Sequence, residues 1–295
     1  MPSTRDIRRR IKSVKNTAQI TKAMQMVAAA KMRKAQQAAL VGRPYADLLN
    51  QMLAEAAPRL VAFRHPLMET REIKRHGIVL VSTDRGLCGA LNSNLFREAT
   101  RWDRQRTLFV CAGKKGAQFV ARTKRNLAAE FTYKDTPGFA EARAISKFVQ
   151  ELFLKGEVDA VDVLFTQFVS TLVQQPKTIP FLPIGRIQPV QAGFPASPEP
   201  VAAASSSPRT DLFEFEPDEK TVLGALLPHS LNFQMHQILL EARASEHSAR
   251  MVAMKNATDN ANQLVKDLTL EYNKLRQSNI TKELLEIATA QMAVG

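Results

Sequence analysis

Apolar side chains in the first forty residues recur in steps of three and four: Ile7, Ile11, Val14 and Ala18, then Ile20, Met24 and Val27, then Met32, Ala35, Ala39 and Leu40. That spacing predicts a single helix whose apolar stripe drifts slowly around the axis. Ser3 followed by Asp6 fits a capping box at its start, and no Gly or Pro intervenes before Gly42 and Pro44. About 40 helical residues would extend about 60 Å, so a partner helix is expected.

The other end of the chain supplies one. From Leu231 to Ala290 there is neither Gly nor Pro, and apolar positions step through Leu231, Met235, Ile238, Ala242, Ala249, Ala257, Ala261, Leu264, Leu268, Leu275, Leu284 and Ile287. Small residues crowd the middle (ASEHSARMVAMKNATDNAN), which suits close packing in a long antiparallel coiled coil of the N- and C-terminal helices. A helical hairpin inside an ordinary bundle is the competing reading. It is disfavoured because nothing between the two ends supplies further long helices.

The middle follows a different pattern. Gly77–Ser82 and Thr107–Ala112 are short, continuously apolar runs that read as buried strands, each followed by a turn-rich stretch and a helix, the first beginning near Asn92. A weaker strand at Leu127–Thr132 precedes the amphipathic helix Phe139–Leu154, then come a strand at Val161–Val169 and an edge strand at Thr178–Leu182. Strands alternating with helices predict a Rossmann-like central α/β domain with a mostly parallel sheet. The expected organisation is an N-terminal coiled-coil helix over 1–60, the α/β domain over 75–187, a Pro/Ala/Ser-rich flexible segment over 188–210, and a C-terminal coiled-coil helix over 211–295.

Charge sharpens this picture. The net +13 is concentrated in residues 1–43, where eleven Lys or Arg face the single acid Asp6; residues 44–226 hold 23 basic and 20 acidic side chains, and residues 227–295 seven of each. The first 44 residues also hold no aromatic side chain. A single-strand nucleic-acid binder would want aromatic platforms there, and a membrane-surface helix would want Trp, Phe or Leu on its apolar face. No run approaches the roughly 18 apolar residues of a spanning helix. The N-terminus lacks the apolar core of a secretory signal, and its Arg-rich pattern runs on into the helix, so it reads as structure rather than a transit peptide.

Candidate chemistry is sparse. STDRGLCGAL and CAGKKGAQF follow strands and precede helices, where phosphate loops occur, yet neither fits GxGxxG or GxxxxGK[ST]. Tight strand-to-helix turns are the favoured reading and a phosphate site the other. His229, His236 and His247 lack metal-site spacing, and Cys88 and Cys111 sit in small apolar contexts, which reads as burial. Neither a catalytic site nor a cofactor or metal site is expected.

Three long segments, IRRRIKSVKNTAQITKAMQMVAAAKMRKAQ, VSTDRGLCGALNSNLF and ASEHSARMVAMKNATDNANQLVKDLTLEYNKLRQSNITKELLEI, closely resemble the γ subunit of F-type ATP synthases. The resemblance implies a rotor that turns inside a ring of α and β subunits, with the central domain beside the ε subunit and above the membrane c-ring. It implies no homo-oligomer and no nucleic-acid partner. Lys22 and Met24 match positions close to the acidic lever of each β subunit, and Arg276, Gln277 and Thr281 match positions that meet β loops. Phe213, Phe215 and Glu216 (in FEFEPD) match the foot near ε and the c-ring, although the family often has tyrosines at the two aromatic positions. The dithiol of chloroplast relatives has no counterpart in the Pro/Ala/Ser stretch. A peripheral protein on the cytoplasmic face of a bacterial inner membrane is therefore expected.

Overall fold

The computed structural model describes residues 3–42, 44–46, 48–49, 52, 65–184 and 218–294. Two compact units emerge, one of Met1–Ala28 with Met251–Gly295 and one of Ala29–Arg250. Two long helices contribute to both: α1 (Thr4–Val41) and α5 (Glu219–Val294).

In the first unit, α1 starts as its sequence predicts. Ser3 Oγ accepts the Asp6 N–H at 3.2 Å and donates to the Asp6 carboxylate at 2.7 Å. The buried side chains are Ile7, Ala18 and Ala28 on α1, and Met254, Thr258, Ala261 and Leu268 on α5. Those α5 positions step by four, three and seven, the spacing of a coiled-coil seam. The hydroxyls of Thr21 and Thr258 meet across it at 2.7 Å. Beyond the seam, every residue from Arg276 to Gln291 is exposed, including Leu284, Leu285 and Ile287.

The second unit is built on a five-stranded sheet of order β3-β2-β1-β4-β5. Strands β1 (His76–Val81), β2 (Thr107–Ala112), β3 (Asn126–Phe131) and β4 (Ala160–Phe168) are parallel, and β5 (Gln174–Leu182) is an antiparallel edge. Helices α2 (Leu91–Thr100) and α3 (Lys114–Arg122) cover one face through Leu95, Ala99, Phe119 and Val120 against Ile78, Leu80, Phe109 and Leu164. The other face is covered by α4 (Phe139–Leu154) and by the Leu231–Ala242 part of α5, against Val79, Val81, Val110, Val163 and Phe165. Contacts between the terminal helices run antiparallel here: a Cβ at Gly42 would lie 2.4 Å from Gln237 Nε2, while Tyr45, further along the chain, meets Phe233 and His229, earlier on α5.

The C-terminal helix, expected within 211–295, spans Glu219–Val294 and runs through Pro228. Asp218 caps this start by accepting the Thr221 N–H at 3.0 Å. The proline ring crowds the carbonyl four residues back, which belongs to Gly224, where nothing lies within 4 Å of an added Cβ. Leu223, Leu227 and Leu231 recur at helical spacing on the buried side, and their packing carries the helix through the proline. One expectation needs correction: the edge strand starts at Gln174 rather than Thr178, because the hairpin after β4 needs only residues 169–173.

Candidate functional site

In a doubly wound sheet the ligand crevice opens at the carboxyl ends of the strands where strand order reverses, here between β1 and β4. That place is filled by the chain itself. Every residue of α5 from Gln237 to Ala249 is buried, its polar and charged side chains included. The glycines of CAGKKG serve the packing of this edge. Gly113 has φ 110°, and a Cβ there would fall 2.2 Å from the Ser82 carbonyl oxygen. The Gly116 N–H donates to Ser82 Oγ at 2.7 Å.

Arg243 is the centre of the arrangement and is 2% exposed. Its guanidinium donates to Asp84 Oδ2 at 2.9 Å, to the Lys134 carbonyl at 3.2 Å, to the Tyr133 carbonyl, and to Glu246 Oε2. The cation also lies 3.9 Å from the centre of the Tyr133 ring. Glu246 uses its other oxygen to accept from Arg250 at 2.8 Å, and Arg250 reaches on to the Gly86 carbonyl at 3.3 Å. Loops after β1 and β3 are thereby tied to one turn of α5.

Hydroxyls and a second carboxyl extend the tie to β4. Ser245 donates to the Thr166 carbonyl at 2.9 Å and Ser248 to the Thr171 carbonyl at 2.8 Å. Glu241 accepts the Phe168 N–H at 3.1 Å. Burial pushes the Glu241 carboxyl up to about 7, with the Phe168 hydrogen bond and Lys177 opposing the rise. Burial likewise drives His247 below its ordinary value, so its 3.8 Å approach to Asp135 is not an ion pair at neutral pH. The cysteines are buried as expected, and burial raises both thiols, Cys111 to about 12. Among the described residues no group of His, Cys, Asp and Glu is placed to hold a metal ion.

The residues singled out by resemblance lie elsewhere. Lys22 is exposed and Met24 half-buried on α1; Arg276, Gln277 and Thr281 are exposed on α5, with Thr281 Oγ1 donating to the Gln277 carbonyl at 2.9 Å. Because Thr21 meets Thr258, the α5 trio begins about 27 Å further along the helix at 1.5 Å per residue, so the two sets do not form one cluster. Phe213, Phe215 and Glu216, and the 188–210 segment, lie outside the described residues. The Arg243 cluster itself was not anticipated. Its signal was present as alternating charges at Glu241, Arg243 and Glu246 within an otherwise apolar and small-residue run, and Asp84 stood in the loop tested only for phosphate binding.

Comparison with known proteins follows the geometry. The chain matches the family model described as ATP synthase over residues 3–294. It is 51% identical over 300 residues to the ATP synthase gamma chain of Opitutus terrae and 46% identical over 300 residues to that of Methylacidiphilum infernorum, covering all of both chains in each case. Among solved structures it resembles a chain of the Euglena gracilis mitochondrial ATP synthase OSCP/F1/c-ring assembly, with a TM-score of 0.64 at 19% identity, covering 99% of this chain and 94% of that one. A chain of the central stalk and c-ring structure from Tetrahymena thermophila matches with a TM-score of 0.58 at 22% identity, covering 81% and 99%.

Two outcomes are expected of the joint. Arg243→Met removes the cation and strands Asp84 and Glu246 in a buried setting, so the full chain should lose about 3–5 kcal/mol in denaturant unfolding. Glu241 gives a pH signature. Its folded value lies above the unfolded 4.5, so its contribution is complete below that pH and is lost as pH rises through about 7. From pH 5 to pH 8 the melting temperature of the native chain should fall relative to that of Glu241→Gln, which lacks this titration.

Proposed function

The chain belongs to the γ-chain family of ATP synthases, and from that membership we propose that it works as the central rotor shaft of an F-type enzyme. Ion flow through the membrane c-ring turns it, and its rotation cycles the three catalytic β subunits through ATP synthesis or, in reverse, hydrolysis. The observation that carries this reading is the keyed joint: a helix enclosed from Gln237 to Ala249 and fixed to the sheet by Arg243 is suited to pass force from a domain to a shaft.

The exposed helix surfaces support the same role. A shaft turning in a sleeve must avoid deep apolar anchors, because each filled pocket would hold it at one angle, and large aromatics are what most often anchor interfaces. Residues 1–44 have none, and their cationic surface suits the acidic lever of each β subunit near Lys22 and Met24. Arg276, Gln277 and Thr281 are exposed and polar, as groups that engage β loops should be. Phe213, Phe215 and Glu216 are assigned to the foot that meets ε and the c-ring. ATP chemistry belongs to the β subunits in this scheme, and the γ chain supplies no catalytic group.

Among the described residues no helix is long and apolar enough to cross a membrane. In the proposed role, attachment runs through the c-ring, at the cytoplasmic face of a bacterial inner membrane.

ATP synthesis in membrane vesicles tests the placement of the β contacts. Deleting residues 290–295 removes the end of a helix that is fully exposed from Arg276 to Gln291, and should leave most of the activity. Replacing Arg276, Gln277 and Thr281 together by Ala should lower synthesis about tenfold or more, the equivalent of one charged hydrogen bond lost. Equal damage from the two changes would refute the assignment.

A further inference from the structure

His247 is 1% exposed, and its Nε2 has no hydrogen-bond partner. Its Nδ1 lies 3.4 Å from Arg250 Nη1. Arginine can only donate, so Nδ1 carries the lone pair and Nε2 carries the proton. That N–H faces Asp135 Oδ1 at 3.8 Å, just beyond hydrogen-bond range. The other oxygen of Asp135 is taken by Lys31 Nζ at 2.6 Å. One carboxylate in the loop after β3 thus stands between a lysine of α1 and a histidine of α5, bonded to the first and only facing the second.

We propose that Asp135 and His247 form an acid-sensitive catch, in which protonation of His247 transfers Asp135 from Lys31 on α1 to His247 on α5. A proton taken from solvent onto Nδ1 ends the contact with Arg250, since both groups then donate. The imidazolium charge draws Asp135 across the gap of about 1 Å that separates 3.8 Å from a hydrogen bond. Lys31 and Asp135 are 43% and 53% exposed, so water accepts the released ammonium at little cost.

The charges facing His247 decide when this happens. Glu246 and Asp135 favour the imidazolium, Arg250 and Arg243 oppose it, and burial opposes it most strongly. Lys31 acts from the far side of Asp135, and Asp84 and Glu246 offset the Arg243 charge. His247 therefore titrates below its ordinary 6.5, and stability is lost as pH falls under that value. Asp135 stays ionised throughout, held below the usual carboxylate range chiefly by Lys31. The exchange is a property of this chain alone; that it would free α1 within a rotor rests on the function proposed above.

Ring nitrogen–proton correlation NMR of the full chain labelled at histidine tests it. At pH 7.5 His247 should show the Nε2–H tautomer. Asp135→Asn should make its protonation about tenfold less favourable, the effect of removing a neighbouring opposite charge, and Lys31→Met should make it several-fold more favourable. Both variants alter partly exposed side chains, and the other four histidine signals report whether the fold is kept. An Nδ1–H tautomer at neutral pH, or a His247 titration that ignores both substitutions, overturns the proposal. A chain that failed to act as a rotor would leave these signals unchanged, so the two failures are distinguishable.

Discussion

Arg243 holds a full positive charge almost entirely out of water, and the middle of the protein is arranged around that fact. Desolvating such a cation costs several kcal/mol unless fixed acceptors surround it. Asp84, the Tyr133 and Lys134 carbonyls and Glu246 come from two separate loops and from the helix itself. They can converge on one guanidinium only at one rotation and one axial position of α5. Apolar packing alone tolerates small slips between a helix and a sheet. A charge with a forked set of partners does not, and a helix meant to carry force needs that kind of fixed setting.

The same long helix has a contrasting stretch. From Arg276 to Gln291 it is exposed throughout and holds no aromatic residue, and the exposed face of α1 near Met24 carries Ile20, Lys22, Ala23, Met26 and Val27. Without an aromatic ring, such surfaces lack the side chains that most often anchor an interface in a partner's pocket. One part of α5 is enclosed and fixed, and another is exposed along its whole length. Both properties follow from which side chains the helix displays.

Periodicity made most of the fold readable. Steps of three and four gave α1, the Ser3–Asp6 cap gave its start, and alternating apolar runs and turns gave the sheet and its crossover helices. Pro228 and Gly224 signal a local break inside α5 that the buried Leu223, Leu227 and Leu231 stripe overrides through tertiary packing. The joint was not legible for a related reason. Ser245, Glu246, His247 and Ser248 read locally as a polar helix surface, and only the sheet wrapped around them makes them interior. Sequence alone read the loop at Asp84 as a tight turn, with a phosphate site the other possibility, because nothing nearby in the chain announces a partner 159 residues away.

Torque borne by the assembled enzyme addresses the central claim directly. With the α and β ring fixed to a surface and a bead attached to the central α/β domain, ATP-driven rotation can be stalled against a rising load. If Arg243 keys the helix to the sheet, an assembled Arg243→Met enzyme should hydrolyse ATP at a near-normal rate yet stall or slip at a clearly lower load than the native one. Equal stall torque in the two enzymes would contradict the claim and leave Arg243 as a residue of folding only.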